Sequence, residues 1–476
     1  MSHLRAIIEP VPPVDWQPWH TAAFLDAQRR RRPVLLLLET AWAPTCAAAH
    51  ATVFARPDVQ QAIAETVVPI RVDADRRPDI ADRYGLGSWP SVLVLTPEGR
   101  VVTGGTRLDA GLADRLRQVA IACGTNDRAW RSGATDESSP AGTGSPSASI
   151  ADDVALARIA AGIWAARDPA SGGWSSAGRA GADCTLFALS HGLVTGATEW
   201  REAVIGTLDD LCAMAAAGSG LFELHAPGDE GAPLGACAAW VVTLARAIPV
   251  TGRTSWRTTL DRAARALAGA RHTDGSWRPW PGATLVLVDV SALACRALFA
   301  AAELLDDAEL TRQGIDALEA LAPVAYARGA GVSHVLEQQQ ARGPMLLDDA
   351  MMLAHAALDA QAWRAETVYR DLADELLQTS IARLTTPTGV LTDRVAALAG
   401  GGRIGRLAEP WPSLAGNALA ARLAVRLRPD DRAAVGTARG WLRGVAPSAV
   451  EAGPFGASVG LALQALETPG HVVAAW

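Results

Sequence analysis

A single cysteine at the start of a predicted helix, Cys46, is the clearest candidate for thiol chemistry in the first half of the chain. The segment 39–46 reads ETAWAPTC and follows an apolar run, where a dithiol active-site turn would lie. In such a turn the helix N-terminus lowers the thiol pKa and a second cysteine resolves the mixed disulfide. Position 43 holds Ala, so we do not expect ordinary dithiol exchange.

Two interpretations of Cys46 follow from this pattern. As a catalytic residue, Cys46 would be a low-pKa monothiol open to oxidation or glutathionylation, and His50 one helical turn further on could polarise it. As a structural residue, Cys46 would pack like a small hydrophobe while His50 remains solvated.

Ionisable side chains supply the candidate chemistry of the second half. Glycoside hydrolysis needs two carboxylates across a sugar, and epimerisation beside a carbonyl needs paired acid and base groups. No spacing demands catalysis, although His334 and Glu337 lie three residues apart. The candidates in predicted loops are Glu223, His225, Asp229, Glu230, Asp274, Asp348 and Asp349.

The adjacent acids Asp348 and Asp349 are a candidate pair for ligand binding. They open a predicted helix, where the helix dipole favours negative charge, so capping of that helix is the structural alternative.

Tryptophans in loops are the second candidate ligand contacts. The chain has 16 Trp against 6 Phe and 3 Tyr. Trp174, Trp277 and Trp411 lie in Gly- or Pro-containing loops between predicted helices. A Trp ring at a loop rim could stack on a sugar-like ligand; alternatively, each ring plugs the end of a helical hairpin.

The elements that position Cys46 alternate between strands and helices. Short apolar runs predict buried strands at 33–38, 67–72, 91–95 and 101–103, and helical spacing covers 21–30, 46–54, 59–65, 79–84 and 108–122. This order predicts an α/β domain of thioredoxin size. Pro90 precedes the third strand after Trp89, and we predict a cis peptide bond there with a structural role; an ordinary trans proline is the alternative.

A Ser/Gly/Pro-rich stretch, 132–149, separates this half from a helical one. We predict a thioredoxin-like domain at 1–125, a flexible linker at 126–150 and a second domain at 151–476. Eleven segments with helical spacing follow the linker, which favours antiparallel helix pairs that close into an all-α toroid or barrel of (α/α)6 type.

Composition excludes several classes of function. All 43 basic residues are Arg, so no Schiff-base or P-loop lysine exists in this sequence. The formal net charge of −7 argues against nucleic-acid binding. Six scattered Cys give no zinc-finger spacing, and no apolar run approaches the ~20 residues of a membrane span. We predict a cytoplasmic protein with no membrane contact, no metal and no cofactor.

Several motifs together resemble the family of spermatogenesis-associated protein 20 and its bacterial relatives. The residues that carry the resemblance are 14–19 (VDWQPW), Phe24, 43–46 (APTC), Phe54, 72–73 (VD), 77–79 (RPD), 89–90 (WP) and 95–99 (LTPEG), and more weakly 168–174 (DPASGGW), 347–350 (LDDA), 412–413 (PS) and 416–418 (GNA). The resemblance implies a thioredoxin-like domain joined to a six-hairpin, glycosidase-like (α/α)6 barrel.

The sequence departs from this family at its polar motifs. Ala43 and Ala47 stand where the family has the first Cys and the final His of a CHWCH-like turn. The family's His-Phe-Glu-Lys run falls near 233–237, where Cys237 is the sole ionisable residue. The resemblance therefore implies a degenerate member that has lost its CxxC redox motif.

We expect this member to bind a small-molecule or sugar-like ligand, or a protein partner, with little or no catalysis. The alternatives are a carbohydrate-active isomerase or hydrolase that uses the barrel pocket, and a monothiol redox sensor that uses Cys46.

Overall fold

The computed structural model describes residues 13–125, 150–175, 178–218, 234–280, 282–395 and 402–467, which fall into two compact units. The first unit holds 13–125 and 402–409, and the second holds the other described residues. The predicted α/β domain followed by an all-α domain is confirmed. The predicted second domain, 151–476, included 402–409, and these residues pack instead with the first unit.

The first unit is built around one mixed four-stranded sheet. The elements of this unit are α1 (Thr21–Arg30), β1 (Val34–Glu39), α2 (Pro44–Ala49), α3 (Pro57–Thr66), β2 (Val68–Asp73), α4 (Pro78–Tyr84), β3 (Ser91–Leu95), β4 (Val101–Gly105) and α5 (Leu112–Thr125). The strand order of the sheet is β2–β1–β3–β4; β1 and β2 are parallel, and the other neighbours are antiparallel.

Helices cover both faces of this sheet. Because side chains alternate along a strand, successive leucines of β1 enter two different cores. Leu36 packs with Phe24 of α1 and Tyr84 of α4 on one face. Leu35 packs with Ile63 of α3 on the other. Burial on both faces explains why β1 is a continuous apolar run rather than an alternating one.

Residues 402–409 complete the first of these cores. Leu407 is 1% exposed and belongs to the same cluster as Tyr84. The buried Arg83 donates a hydrogen bond to the carbonyl oxygen of Arg406 at 3.1 Å, and the backbone N–H of Arg406 donates to the Tyr84 hydroxyl at 2.8 Å. Apolar packing and polar contacts therefore both hold this segment in the unit.

The second unit is a double ring of helices. The helices of its described residues are α6 (Asp152–Ala165), α7 (Gly178–Thr195), α8 (Thr198–Ala216), α9 (Leu234–Thr251), α10 (Arg257–Gly269), α11 (Val288–Leu305), α12 (Ala308–Ala325), α13 (Leu347–Gln361), α14 (Thr367–Leu384), α15 (Leu414–Leu427), α16 (Arg432–Glu451) and α17 (Ala457–Glu467). Among these twelve, six inner helices close into a ring, namely α7, α9, α11, α13, α15 and α17, and the other six lie outside them.

The inner helices are apolar because neighbours surround them on every side. Almost every residue of α9 is buried. Among the described residues, α9 alone has the length and hydropathy to cross a membrane, and 78% of that window is buried inside the unit. Its apolar character is accounted for by its place in the ring.

Two features of this unit were not predicted. Helix α7 was missed because its first turns, GRAGADC, are rich in glycine, a poor helix former. A small antiparallel sheet was also missed. Its strands are β5 (Leu285–Leu287), β6 (Tyr326–Ala327), β7 (Gly331–Glu337) and β8 (Gln340–Met345). The hairpin β7–β8 precedes α13 and brings His334 to the start of that helix.

Candidate functional site

The thiol of Cys46 is buried at the third position of α2. Pro44 is the first residue of the helix, and the N-cap Ala43 provides no side-chain hydrogen bond. Cys46 is only 4% exposed. Burial raises its pKa, and the carboxylates of Glu39 and Asp75 raise it further. Of the two interpretations of Cys46, the structural one is favoured, because a buried site beside two acids disfavours the thiolate.

His50 serves Glu39 rather than Cys46. Its Nε2 atom lies 2.6 Å from Oε2 of Glu39, and Arg71 forms an ion pair with the other carboxylate oxygen. Burial raises the pKa of Glu39, but the hydrogen bonds and charges of His50 and Arg71 outweigh burial and leave the pKa below its usual value. Glu39 is thus an anion near the thiol, which opposes thiolate formation.

The predicted cis peptide bond at Trp89–Pro90 is confirmed. The carbonyl oxygen of Trp89 accepts a hydrogen bond from the Thr45 hydroxyl at 2.7 Å. This contact places the proline segment beside the turn that carries Cys46.

In the helical unit, N-termini of inner helices bring acidic side chains together. Asp289 lies in the first turn of α11, and Asp348 and Asp349 lie in the first turn of α13. Arg179, at the start of α7, forms an ion pair with Asp289 at 3.1 Å. The partial positive charge at helix N-termini favours carboxylates here. We call Asp289, His334, Asp348 and Asp349 the carboxyl cluster.

Asp349 is the buried centre of the carboxyl cluster. Its oxygens lie 2.9 and 3.0 Å from Nδ1 of His334, and Oδ1 also accepts the backbone N–H of Asp289 at 2.9 Å. Burial raises its pKa, and the charge and hydrogen bond of His334 partly offset this. The side chain of Asp289 keeps one buried oxygen, Oδ1, without a hydrogen-bond partner in the described structure.

Asp348 is the member of the cluster best suited to exchange a proton near neutral pH. Burial raises its pKa to about 6, and the charges of Asp349 and Asp289 act in the same direction. The hydroxyl of Ser413, the N-cap of α15, donates a hydrogen bond to Asp348 at 2.7 Å. The two acids of the predicted pair therefore differ. Asp349 is buried and hydrogen-bonded to His334 and Asp289, whereas Asp348 is partly exposed.

The metal-ligating potential of the described residues is confined to one group, formed by Asp289, His334 and Asp349, whose ligand atoms all lie within 4.8 Å of one another. Two features disfavour a cation there. The guanidinium of Arg179 already occupies one oxygen of Asp289, and Nδ1 of His334 already faces Asp349. The group fits an ion-pair and proton network better than a metal centre.

A cavity of about 80 Å³ lies between the inner helices, and Arg179, which forms an ion pair with Asp289 of the cluster, is one of its lining residues. Three arginines and one acid line it: Arg179, Arg296, Arg422 and Asp183. The sequence-based candidates included none of these four. The available signal was an arginine in the middle of an otherwise apolar helix, as in α11 and α15, since a helix that is apolar all round is buried.

Two of the predicted Trp contacts are packing residues instead. Trp174 is 2% exposed and donates its indole N–H to the carbonyl oxygen of Ile163 at 3.1 Å. Trp277 is 1% exposed and donates to the carbonyl oxygen of Leu267 at 2.8 Å. Each ring therefore closes the end of an outer helix, which corrects the expectation of a ring that stacks on a ligand.

The other predicted ligand contacts lie in three places. Trp411 is partly exposed, and its backbone pairs with Thr392 beside the start of α15. Asp274 bonds within its own loop to Ser276 and Arg278, lines a separate cavity of about 160 Å³, and has its pKa lowered to about 2. Glu223 and His225 lie outside the described residues, as do Asp229 and Glu230.

Fold and site together define a protein with a thioredoxin-like unit that keeps one buried cysteine, Cys46, in the first turn of α2, and a six-hairpin, glycosidase-like helical ring. Residues 5–133 match the model of the family Thioredox_DsbH, described as "Protein of unknown function, DUF255". The resemblance to spermatogenesis-associated protein 20 is confirmed by this match and by curated relatives.

Two of these relatives show the extent of the similarity. An uncharacterized protein of Caenorhabditis elegans is 30% identical over 102 residues, which are 20% of this chain and 14% of that protein. Spermatogenesis-associated protein 20 of Homo sapiens is 29% identical over 102 residues, which are 20% of this chain and 13% of that protein. The matched region is thus a small part of the length of these relatives.

Solved structures resemble the helical unit in fold. A D-mannose isomerase has a TM-score of 0.50 at 13% identity, over 62% of this chain and 85% of that one. An α-1,6-mannanase of Salegentibacter sp. HEL1_6 has a TM-score of 0.50 at 12% identity, over 66% of this chain and 100% of that one. At these identities the similarity shows the fold alone.

Proposed function

We propose that this protein binds a small hydroxylated molecule, such as a sugar, at the carboxyl cluster of its helical unit, and that its thioredoxin-like unit performs no disulfide exchange. The observation that carries the proposal is the convergence of Asp289, His334, Asp348 and Asp349 beside the cavity enclosed by the inner helices. Binding sites commonly combine a concave pocket with a few convergent polar groups.

Hydrogen-bonding capacity supports a hydroxylated ligand. The buried Oδ1 atom of Asp289 has no hydrogen-bond partner among the described residues, although Nδ1 of His334 lies 4.0 Å away, so it can accept a hydrogen bond from a hydroxyl. Asp348 is partly exposed and lies at the same end of the ring as Asp289. Carboxylates are acceptors when ionised and can donate when protonated, which suits the mixed donors and acceptors of a sugar.

The surroundings of Cys46 support the proposal that the thioredoxin-like unit performs no disulfide exchange. Disulfide exchange needs a thiolate attacker and a second sulfur to resolve the mixed disulfide. Ala43 removes the second sulfur, and the buried Cys46 lies beside the Glu39 anion. The same burial opposes the alternative of a monothiol sensor, because such sensors need an accessible low-pKa thiol.

Calorimetric titration of the full chain with a panel of neutral and acidic monosaccharides tests ligand binding. We expect at least one sugar to bind, and Asp289→Asn to weaken that binding about tenfold, because an amide nitrogen cannot accept the ligand's hydroxyl proton. Asp261→Asn, on the exposed side of outer helix α10, is the matched control and should leave binding unchanged. Binding that is insensitive to Asp289→Asn would contradict the proposed location.

A second candidate function, a carbohydrate isomerase or hydrolase, is favoured by one observation: the pKa of Asp348 is raised to about 6. General acids work best with a pKa near the operating pH. Similar folds include a D-mannose isomerase and an α-1,6-mannanase, of which a variant with two consecutive aspartates replaced is inactive. NMR analysis of sugars incubated with wild type and Asp348→Asn tests this, and conversion by wild type alone would support it.

We also propose that the protein is cytoplasmic. All six cysteines are free in the structure, which agrees with a cytoplasmic protein kept reduced. Fractionation of cells that express the full chain tests this placement.

A further inference from the structure

The cavity below the carboxyl cluster is built by every inner helix of the ring. Side chains from α7, α9, α11, α13, α15 and α17 line it, and its volume is about 80 Å³. The walls are partly apolar, with Leu293 and Met352 among them. Its charged lining residues are Arg179, Asp183, Arg296 and Arg422. A site that all six hairpins enclose is a fixed part of the fold rather than a surface groove.

Arg422 is the unusual residue in this lining. It lies in the middle of α15 and is 8% exposed. Its Nε and Nη2 atoms are buried, and neither has a hydrogen-bond partner in the described structure. Buried guanidinium groups are normally paired, because the desolvation of an unpaired charge is expensive. Burial and the charges of Arg296 and Arg426 together lower the pKa of Arg422 to about 9.

The neighbouring arginines form ion pairs with aspartates. Asp359 accepts from Arg296 at Oδ2 and from Arg426 at Oδ1, both at 2.7 Å, so one carboxylate serves two guanidinium groups. Arg179 is paired with Asp289. His355 gives no negative charge, and its pKa is held well below the usual value by burial and by the same arginines. The floor of the cavity therefore carries an excess of positive charge, centred on Arg422.

Asp183 lies in the same cavity and acts on Arg422 through charge alone. No hydrogen bond or ion pair joins the two in the described part of the chain. Burial raises the pKa of Asp183, while the charges of Arg179 and Arg422 lower it. A bare anion between these residues would be repelled by Asp183, whereas a hydroxyl next to the anionic group could donate to it.

We propose that Arg422 binds the acidic group, a carboxylate or a phosphate, of a small hydroxylated ligand, and that Asp183 accepts a hydrogen bond from a neighbouring hydroxyl of that ligand. This inference rests on the proposed function and narrows its ligand to an acidic sugar. The planar guanidinium matches both acidic groups in a bidentate way.

The size of the cavity agrees with this placement. A cavity volume of about 10–15 Å³ on this measure holds one water molecule, so the cavity has room for an acidic group and the hydroxyl next to it. The rest of the ligand would extend past Arg179 towards Asp289, because Arg179 both lines the cavity and contacts that acid.

Titration calorimetry on the full chain with D-glucuronate, D-glucose 6-phosphate, D-glucose and inorganic phosphate tests the inference. We expect one of the acidic sugars to bind at least tenfold more tightly than D-glucose; the carboxylate and phosphate arms identify which acidic group is recognised. Arg422→Met should abolish this preference. Arg265→Met removes an equal charge from an exposed site on an outer helix and serves as the control.

Thermal unfolding of Arg422→Met distinguishes a loss of ligand binding from a loss of folded protein. Replacement of an unpaired buried charge by an apolar side chain of similar length should leave the Tm of ligand-free protein unchanged or raise it. The rise in Tm caused by the acidic sugar in wild type should disappear in Arg422→Met.

Failure of the inference and failure of the proposed function are distinguishable. Binding of D-glucose and the acidic sugars with equal affinity, insensitive to Arg422→Met, would overturn the inference and leave the proposed function intact. Binding of none of the sugars by the folded wild type would overturn both. Binding of inorganic phosphate alone, lost in Arg422→Met, would support the anion site and contradict the hydroxyl contact to Asp183.

Discussion

Nδ1 of His334 lies 2.9 Å from Oδ2 of Asp349, and this pair joins the β7–β8 hairpin to the first turn of inner helix α13. Both residues are buried. Because Oδ1 of Asp349 also accepts the backbone N–H of Asp289, one carboxylate connects the hairpin to two inner helices. The pair therefore orders the end of the ring where the other cluster residues lie.

Removal of one partner should be costly. We expect Asp349→Ala to lower the free energy of unfolding by about 3 kcal/mol, because it removes the buried carboxylate that faces Nδ1 of His334 and accepts the backbone N–H of Asp289. Urea unfolding followed by circular dichroism measures the change. Asp261→Ala, which breaks an exposed pair on α10, should change stability by about 0.5 kcal/mol or less. Equal losses in the two variants would show that the buried pair has no special role.

Protonation of Asp348 should make stability depend on pH. Its pKa is about 6 in the folded protein against 3.8 as a free side chain, so the folded state holds the proton more tightly than the unfolded state. The stabilisation from this group is full below about pH 4 and is lost as the pH rises through about 6. With about 1.4 kcal/mol for each pKa unit, the loss is about 3 kcal/mol.

Asp348→Asn removes this titration and keeps an oxygen for the Ser413 hydroxyl. We expect the variant to gain stability relative to wild type between pH 4 and pH 7, as measured by urea unfolding at each pH. A difference between the two proteins that stays constant over this range would contradict the raised pKa.

Cys46 should react slowly with alkylating agents. We expect its apparent pKa to lie above the free value of about 8.5, because the thiol is buried and faces the Glu39 anion. The iodoacetamide rate against pH, with Cys46→Ser to identify the other thiols, measures it. Glu39→Gln should lower that pKa and speed alkylation, since it removes a negative charge. A fast phase at neutral pH that is lost in Cys46→Ser would restore a redox role.

Much of the fold could be predicted because the pattern of apolar residues in most segments matches the burial of those segments in the structure. Strand β1 is a run of leucines between two layers of helices, and such a run is typical of a strand buried on both faces. Helix α7 is an exception, because its glycines lower helix propensity and its sequence did not predict a helix. Packing within the closed ring stabilises it.

The site was less predictable because its members are distant in sequence. Asp348 and Asp349 were found from their adjacency, yet His334 acquires its role through a hairpin turn at Gln338 and Gln339 that the sequence did not indicate. Arg422 required the knowledge that its helix is inside the ring. Once α15 is known to be surrounded, an arginine at its centre must be buried and needs a partner.

Trp277 should matter for stability rather than for ligand binding. Trp277→Phe keeps most of the buried ring and removes the donor to the Leu267 carbonyl oxygen, so we expect a loss of about 1–2 kcal/mol in the free energy of unfolding. Sugar affinity should be the same as in wild type. A Phe variant with unchanged stability and weakened sugar binding would favour the stacking role that its burial argues against.

Gly416, in the first turn of α15, faces Asp348 and Leu347 of α13. A Cβ atom at this position would lie 2.4 Å from Oδ1 of Asp348 and 2.7 Å from the side chain of Leu347, so Gly416→Ala forces the start of α15 away from α13. We expect a loss of about 1–3 kcal/mol by urea unfolding, together with a change in the pH dependence attributed to Asp348. Gly436→Ala is the matched control, because it adds a methyl group in open space within helix α16 and should raise stability by about 0.5–1 kcal/mol. If both substitutions were stabilising, α13 and α15 would not approach each other as closely at this end of the ring as the structure has them.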